Sequence, residues 1–179
     1  MLRRRLLLLS LAAIGFAGCK QPAANPPQPA EISIPSGEIG SRLPEFSITD
    51  FEGRQVSSAD LRGKVVLIDF WATWCQPCKK EMPGYQKLLE HYGPRGFAVV
   101  GFKLDIMPDV EDPVLFAKKL GVHYPLAVAR DDLKQKFGGI EGLPTTLLYD
   151  RQGILRKKIV GFEYPDVFEA DLKLLLLTF

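Results

Sequence analysis

The sequence predicts an α/β domain, a central sheet with helices on both faces, and three observations predict it. Residues 64–70 (Lys-Val-Val-Leu-Ile-Asp-Phe) and 97–102 are nearly unbroken apolar runs, the mark of strands covered on both sides. Between them Met82, Tyr85, Leu88, Leu89 and Tyr92 recur at helical spacing. Further on, strand-like and helix-like segments continue to alternate. At 179 residues, 46% of them hydrophobic, the chain suits one domain with a substantial core.

The N-terminus has another purpose. A basic start (Arg3, Arg4, Arg5), an apolar run over 6–17 and small residues at 17–18 predict a secretory signal at 1–18. About twelve apolar residues are too few to span a bilayer comfortably. Phe16-Ala17-Gly18-Cys19 resembles the lipobox of bacterial lipoproteins, which implies cleavage before Cys19 and lipidation of its thiol. An ordinary signal peptide that leaves Cys19 free stays open, as does a twin-arginine signal at Arg3–Arg4. Each route exports the domain to the periplasm or another extracytoplasmic space, where disulfides persist. Residues 19–40 then form a tether, with prolines at 22, 26, 27, 29 and 35 favouring extended chain.

The globular domain is expected over 41–179. Residues 46–49 and 54–56 alternate around a turn at 50–53 and predict a hairpin. Ser57 to Leu61 predicts a capped helical turn. The strand at 64–70 leads through the cysteines into the long helix, which Gly96 ends before the strand at 97–102. A helix at 114–120, a short strand at 126–129 and a short helix at 132–137 follow. Strands at 143–149 and 154–160 flank a turn at 150–153, and Pro165 opens a C-terminal helix. Four apolar residues at 174–177 are expected to serve the core.

Charge excludes one class of partner. Without Arg3, Arg4 and Arg5, 20 basic residues face 21 acidic ones, a net charge of about −1. Nucleic-acid binding needs a concentrated basic face, so no nucleic-acid partner is expected.

The chemistry concentrates in Trp71-Ala72-Thr73-Trp74-Cys75-Gln76-Pro77-Cys78. Cys75 follows the buried strand and opens the helix, where unpaired N–H groups and the macrodipole favour an anion. A thiolate placed there has a lowered pKa and is the reactive species. Cys78 lies one turn deeper. Cys75 is therefore expected to be the exposed nucleophile and Cys78 the shielded, resolving thiol.

Residues 66–79 (Val-Leu-Ile-Asp-Phe-Trp-Ala-Thr-Trp-Cys-Gln-Pro-Cys-Lys) resemble the active-site segment of thioredoxin-fold proteins. Lys79-Lys80-Glu81-Met82-Pro83 narrows the resemblance to the membrane-associated TlpA/ResA-like thiol–disulfide oxidoreductases, relatives of the AhpC/TSA group. The resemblance continues in Gly142-Leu143-Pro144-Thr145-Thr146 and Asp150-Arg151-Gln152-Gly153, and covers about 40–179. It implies a thioredoxin-like fold around a mixed sheet, with an N-terminal β-hairpin extension and a central insertion near 105–125. It also implies a Cys75–Cys78 disulfide and a cis-proline at Pro144. Trp74, Gln76, Pro77, Leu143 and Pro144 would line the partner groove. Asp69 matches the buried acid that moves the resolving cysteine's proton. Glu81 matches a carboxylate that holds negative charge near the dithiol. For both acids the alternative of a side chain facing water stays open. Trp71 matches the aromatic flank or serves the core, and Pro83 is expected to kink the helix.

Other chemistries fit poorly. A zinc site wants four ligands, and one cysteine pair with His91 and His123 matches no known spacing. A copper chaperone on this fold would need wider cysteine spacing. The thiol-peroxidase pattern Pro-x-x-x-Thr-x-x-Cys fails, because Thr73 lies two residues before Cys75 and Asp69 stands four before Thr73. A purely structural staple closing so short a loop would stabilise little. No nucleotide motif or cofactor is indicated. The expected activity is reduction of protein disulfides, with electrons from a membrane thiol transporter. The resemblance points to apocytochrome c or copper-site cysteines as substrates. An oxidant or isomerase is the alternative, because Gln76-Pro77 leans toward reduction without fixing it.

Overall fold

In the computed structural model, residues 36–177 are described. The signal 1–18, Cys19 and the tether to residue 35 lie outside the described residues. Residues 36–40, read from the sequence as the end of the tether, lie on the domain instead. Gly37 is buried at φ +80, and a Cβ there would fall 2.2 Å from the Phe137 carbonyl oxygen. Only glycine combines that backbone with that approach.

A hairpin comes first, β1 (Ser47–Thr49) against antiparallel β2 (Gln55–Ser57). The carboxylate of Asp50 holds its turn, accepting from the Glu52 and Arg54 N–H groups and, at 2.6 Å, from Arg54 Nε. The expected helical turn is a 3₁₀ turn at Ser58–Leu61, where Asp60 accepts from the Ser57 backbone and hydroxyl. Then come β3 (Val65–Trp71), α1 (Gln76–Tyr92), β4 (Phe97–Leu104), α2 (Pro113–Lys119), β5 (Leu126–Ala129), α3 (Asp131–Lys136), β6 (Thr145–Tyr149), β7 (Leu155–Val160) and α4 (Pro165–Leu177). Asp150 repeats the device of Asp50 at the β6–β7 turn, accepting from the Gln152 and Ile154 N–H groups and from Arg156 Nε at 2.6 Å. The helix α1 runs unbroken through Pro83.

The main sheet has the order β5-β4-β3-β6-β7. β3, β4 and β5 are parallel, and β6 and β7 are antiparallel to their neighbours, so the sheet is mixed. Period-two alternation divides β3 between two cores. Val65, Leu67 and Trp71 join Met82, Tyr85, Phe116, Phe168 and Leu172 from α1, α2 and α4. Val66, Ile68 and Phe70 join Phe46, Phe102, Leu133 and Phe137 on the opposite face. The structure is thus the expected thioredoxin-like architecture with helices on both faces. No helix among the described residues is long and apolar enough to cross a membrane.

Strand direction positions everything that follows. The last residues of β3 and β4, the first of β6 and the last of β7 share one end of the sheet. That is where α/β sheets place their ligands.

Candidate active site

Cys75 is the N-cap of α1, with extended φ/ψ of −79°/101°, and Pro77 lies in the first turn, where no N–H is needed. Its Sγ accepts from the Cys78 N–H at 3.3 Å. The two cysteines are joined as a disulfide, Cα atoms 5.3 Å apart. One sequence expectation needs correction. Cys75 is buried, with 3% of its surface exposed, and Cys78 is fully buried. Both cysteines lie in the core shared by Trp71, Met82 and Phe168, with Trp74 and Leu143 packed against it. The Cys78 N–H that reaches Sγ would stabilise a Cys75 thiolate once the bond opens.

Beside the disulfide, β6 begins at the cis Leu143–Pro144 bond. In register Phe70 faces Thr145, which brings Pro144 alongside the end of β3 and the cysteine turn. Gln76 and Pro77 are exposed, Trp74 and Leu143 half-buried, and Pro144 buried. Trp71 belongs to the core, stacked on Phe116 with centroids 5.2 Å apart and planes 14° apart.

Asp69 and Glu81 are both fully buried, so neither faces water. None of their four carboxyl oxygens makes a hydrogen bond of normal geometry. Burial pushes Asp69 up to about 8. Burial and the neighbouring Asp69 charge push Glu81 up to about 9, against the opposing influence of the Glu163 backbone and the Tyr85 hydroxyl. At neutral pH burial therefore favours the protonated form of both carboxyls.

Sequence reasoning read the surroundings of this pair only as core. Asp69 faces Gly101 on one flank and Thr146 on the other. Thr146 Oγ1 lies 3.1 Å from the Tyr85 hydroxyl. Tyr124, its hydroxyl buried and unpartnered, is close enough to the two acids that their charges raise its pKa, although burial is the larger cause. A Cβ on Gly101 would fall 2.4 Å from Leu126 Cδ2, 3.1 Å from Trp71 Nε1 and 3.2 Å from Tyr124 Cε2. The missing side chain is what lets Leu126 and these aromatics close over Gly101, the β4 neighbour of Asp69. No signal short of the fold could have assembled them, since the residues span 69–146.

A cleft of about 250 Å³ between the hairpin, α2 and β5 has neither cysteine in its walls. Among the described residues, no three His, Cys, Asp or Glu side chains converge to hold a metal ion.

A disulfide at a helix N-terminus, a cis-proline beside it and a mixed five-stranded sheet define a thiol–disulfide oxidoreductase of thioredoxin-like fold. The chain belongs to the AhpC/TSA family, whose model matches residues 39–158. It is 35% identical over 140 residues to the thiol-disulfide oxidoreductase ResA of Bacillus thuringiensis (strain Al Hakam), covering 76% of this chain and 78% of that one. To ResA of Geobacillus kaustophilus it is 32% identical over 176 residues, covering 96% and 93%. Among solved structures, a thiol:disulfide interchange protein of the thioredoxin family from Chlorobium tepidum TLS superposes with a TM-score of 0.69. That pair shares 33% identity over 76% of this chain and 97% of the other.

Proposed function

We propose that the chain is an exported oxidoreductase, anchored by lipid at Cys19, that works mainly as a reductase of protein disulfides. The observation that carries the chemistry is Cys75 at the N-cap of α1, its Sγ in contact with a backbone N–H, with a buried carboxyl on the strand before it and another on the helix it caps. The Cys75 thiolate attacks one sulfur of the partner's disulfide. A Cys75–partner bond forms, the partner's sulfur–sulfur bond breaks, and its second sulfur leaves as a thiolate. Cys78, losing its proton to an ionised Asp69 or Glu81, then displaces the first sulfur. The pair ends oxidised and the partner reduced by two electrons. A membrane thiol transporter restores the dithiol.

Three features support this reading. Gln76-Pro77 places no cation between the cysteines to stabilise the reduced form. Its relatives include proteins named as thiol-disulfide oxidoreductases and thiol:disulfide interchange proteins. The pattern at 16–19 supports export and lipidation. Candidate substrates are cysteine pairs of apocytochromes c or of copper-site proteins. Equilibrating the Cys75–Cys78 pair against a thiol redox buffer tests the direction. A potential near the thioredoxin value of about −270 mV fits a reductase, and one near about −120 mV reverses the electron flow and makes the protein an oxidant or isomerase. The Cys78→Ser variant should accumulate a mixed disulfide with the partner on non-reducing gels. Full turnover by that variant would refute the two-step scheme.

A further inference from the structure

The segment between β4 and α2 is irregular, yet a fully committed ion pair holds it. Lys103, near the end of β4, is 2% exposed. Its ammonium lies 2.7 Å from Asp109 Oδ2 and 3.4 Å from Asp105 Oδ1. Asp109 Oδ1 accepts from the buried Thr73 hydroxyl at 2.8 Å, and Thr73 Oγ1 accepts from the Val110 N–H at 3.1 Å. Burying an ammonium costs several kcal/mol unless its partners are well placed, so this is an expensive way to fix a loop. The loop is thereby tied to a residue two positions before Cys75. Two residues of chain reach at most about 7 Å, which keeps Val110 beside the cysteine turn.

What the loop holds in place is apolar and exposed: Ile106 at 55%, Met107 at 49% and Val110 at 64%. Single exposed apolar residues need no explanation, but these share the reactive end of the sheet. Across the dithiol, the segment after β7 presents Phe162 and Tyr164, rings packed edge to face at 4.9 Å. It is drawn toward the cysteines by the Gly161 N–H, which donates to the Pro144 carbonyl at 2.7 Å. β4 and β6 flank β3, so the two segments stand on opposite sides of Cys75.

We infer that the 105–112 loop is one wall of the partner site, held there by Lys103–Asp109–Thr73, and that the preferred partner is a polypeptide with large apolar residues on both sides of its reactive cysteine. This inference rests on the reductase reading above. The occupant follows from continuity with the dithiol. A partner joined to Cys75 through a mixed disulfide has its neighbouring residues within reach of both walls, because each residue extends about 3.3 Å. Asp109, a member of the loop, acts as a positioning residue, since its carboxylate touches Lys103 and Thr73.

Two synthetic disulfide peptides, identical except for leucine or serine on each side of the cysteines, test this. With the reduced native protein, kcat/KM should favour the leucine peptide by about tenfold or more, the usual scale for a small apolar contact cluster. In the triple variant Ile106→Ser, Met107→Ser, Val110→Ser that preference should fall to about threefold or less. Asp109→Ala keeps the apolar side chains but unties the loop, and should raise KM for the leucine peptide without altering kcat. A purely structural role would change both peptides alike. Equal kcat/KM on the two peptides with the native protein, or an unaltered preference in the triple variant, would overturn the inference. No turnover of either peptide by the native protein would overturn the reductase reading itself, and the inference with it.

Discussion

Replacing Asp69 with asparagine should stabilise the protein at alkaline pH relative to acid pH. An aspartate carboxyl ordinarily titrates near 4, whereas burial pushes Asp69 up to about 8. Between these values the folded chain keeps a proton that the unfolded chain has released. Native stability therefore falls as pH rises from about 4 to about 8 and levels off above that. Each unit is worth about 1.4 kcal/mol, so four units set a ceiling of about 6 kcal/mol. Glu81 shares the site and the acids titrate as a pair, which keeps the expected effect near 3 kcal/mol. Asparagine preserves the shape and removes the titration. Its own burial cost is nearly the same at every pH, so it cancels when two pH values are compared. The assay is urea unfolding of the oxidised native and Asp69→Asn proteins at pH 4.5 and 8.5. The variant's stability relative to native should improve by about 3 kcal/mol between the two. A change below about 1 kcal/mol would show that Asp69 is solvated or paired in solution, and the argument for a buried proton store would fail.

Further outcomes follow from the same geometry. Glu81→Gln should flatten the rise in the rate of mixed-disulfide resolution as pH climbs through the raised carboxyl range. A base acts only when ionised, so the native rate increases toward pH 9, measurable by stopped-flow fluorescence of Trp74. Gly101→Ala forces a Cβ to within 2.4 Å of Leu126 Cδ2 and should cost about 1–3 kcal/mol by denaturant unfolding. Asp150→Ala strands the Gln152 and Ile154 N–H groups and Arg156 together, and should cost about 2–4 kcal/mol in the same assay.

The fold and the dithiol were legible in the sequence because their signals are local. The unbroken run in β3, the helical spacing in α1 and the cysteines at their junction lie within thirty residues. The burial of Asp69 was implied only by the resemblance to the family's buried acid, and a side chain facing water was left open. The exposure expected of Cys75 was wrong because spacing gives the distance along a helix and not the packing above it. The Lys103–Asp109–Thr73 tie was invisible for another reason. Thr73 and Asp109 are 36 residues apart, and a lysine ending an apolar strand normally signals solvent. The cluster of Tyr85, Tyr124 and Thr146 around the two acids likewise exists only once two strands, a helix and the loop before β5 have met.

The two outer strands of the sheet carry a consequence for the behaviour of this chain in a crowded compartment. An outer strand with bare N–H and C=O groups invites pairing with other chains and, in time, aggregation. β5 offers only four residues, Leu126–Ala129. β7 offers six but carries Arg156, Lys157 and Lys158 in succession, charged residues of the kind that blunt an outer strand. Its first residue is already occupied: the Gly40 N–H donates to the Leu155 carbonyl, and the Leu155 N–H to that of Ser41. The few residues that join the domain to whatever precedes it thus also serve as a guard strand. A chain trimmed back past Leu43 would keep its dithiol and leave the Leu155 N–H and C=O groups bare at the start of β7.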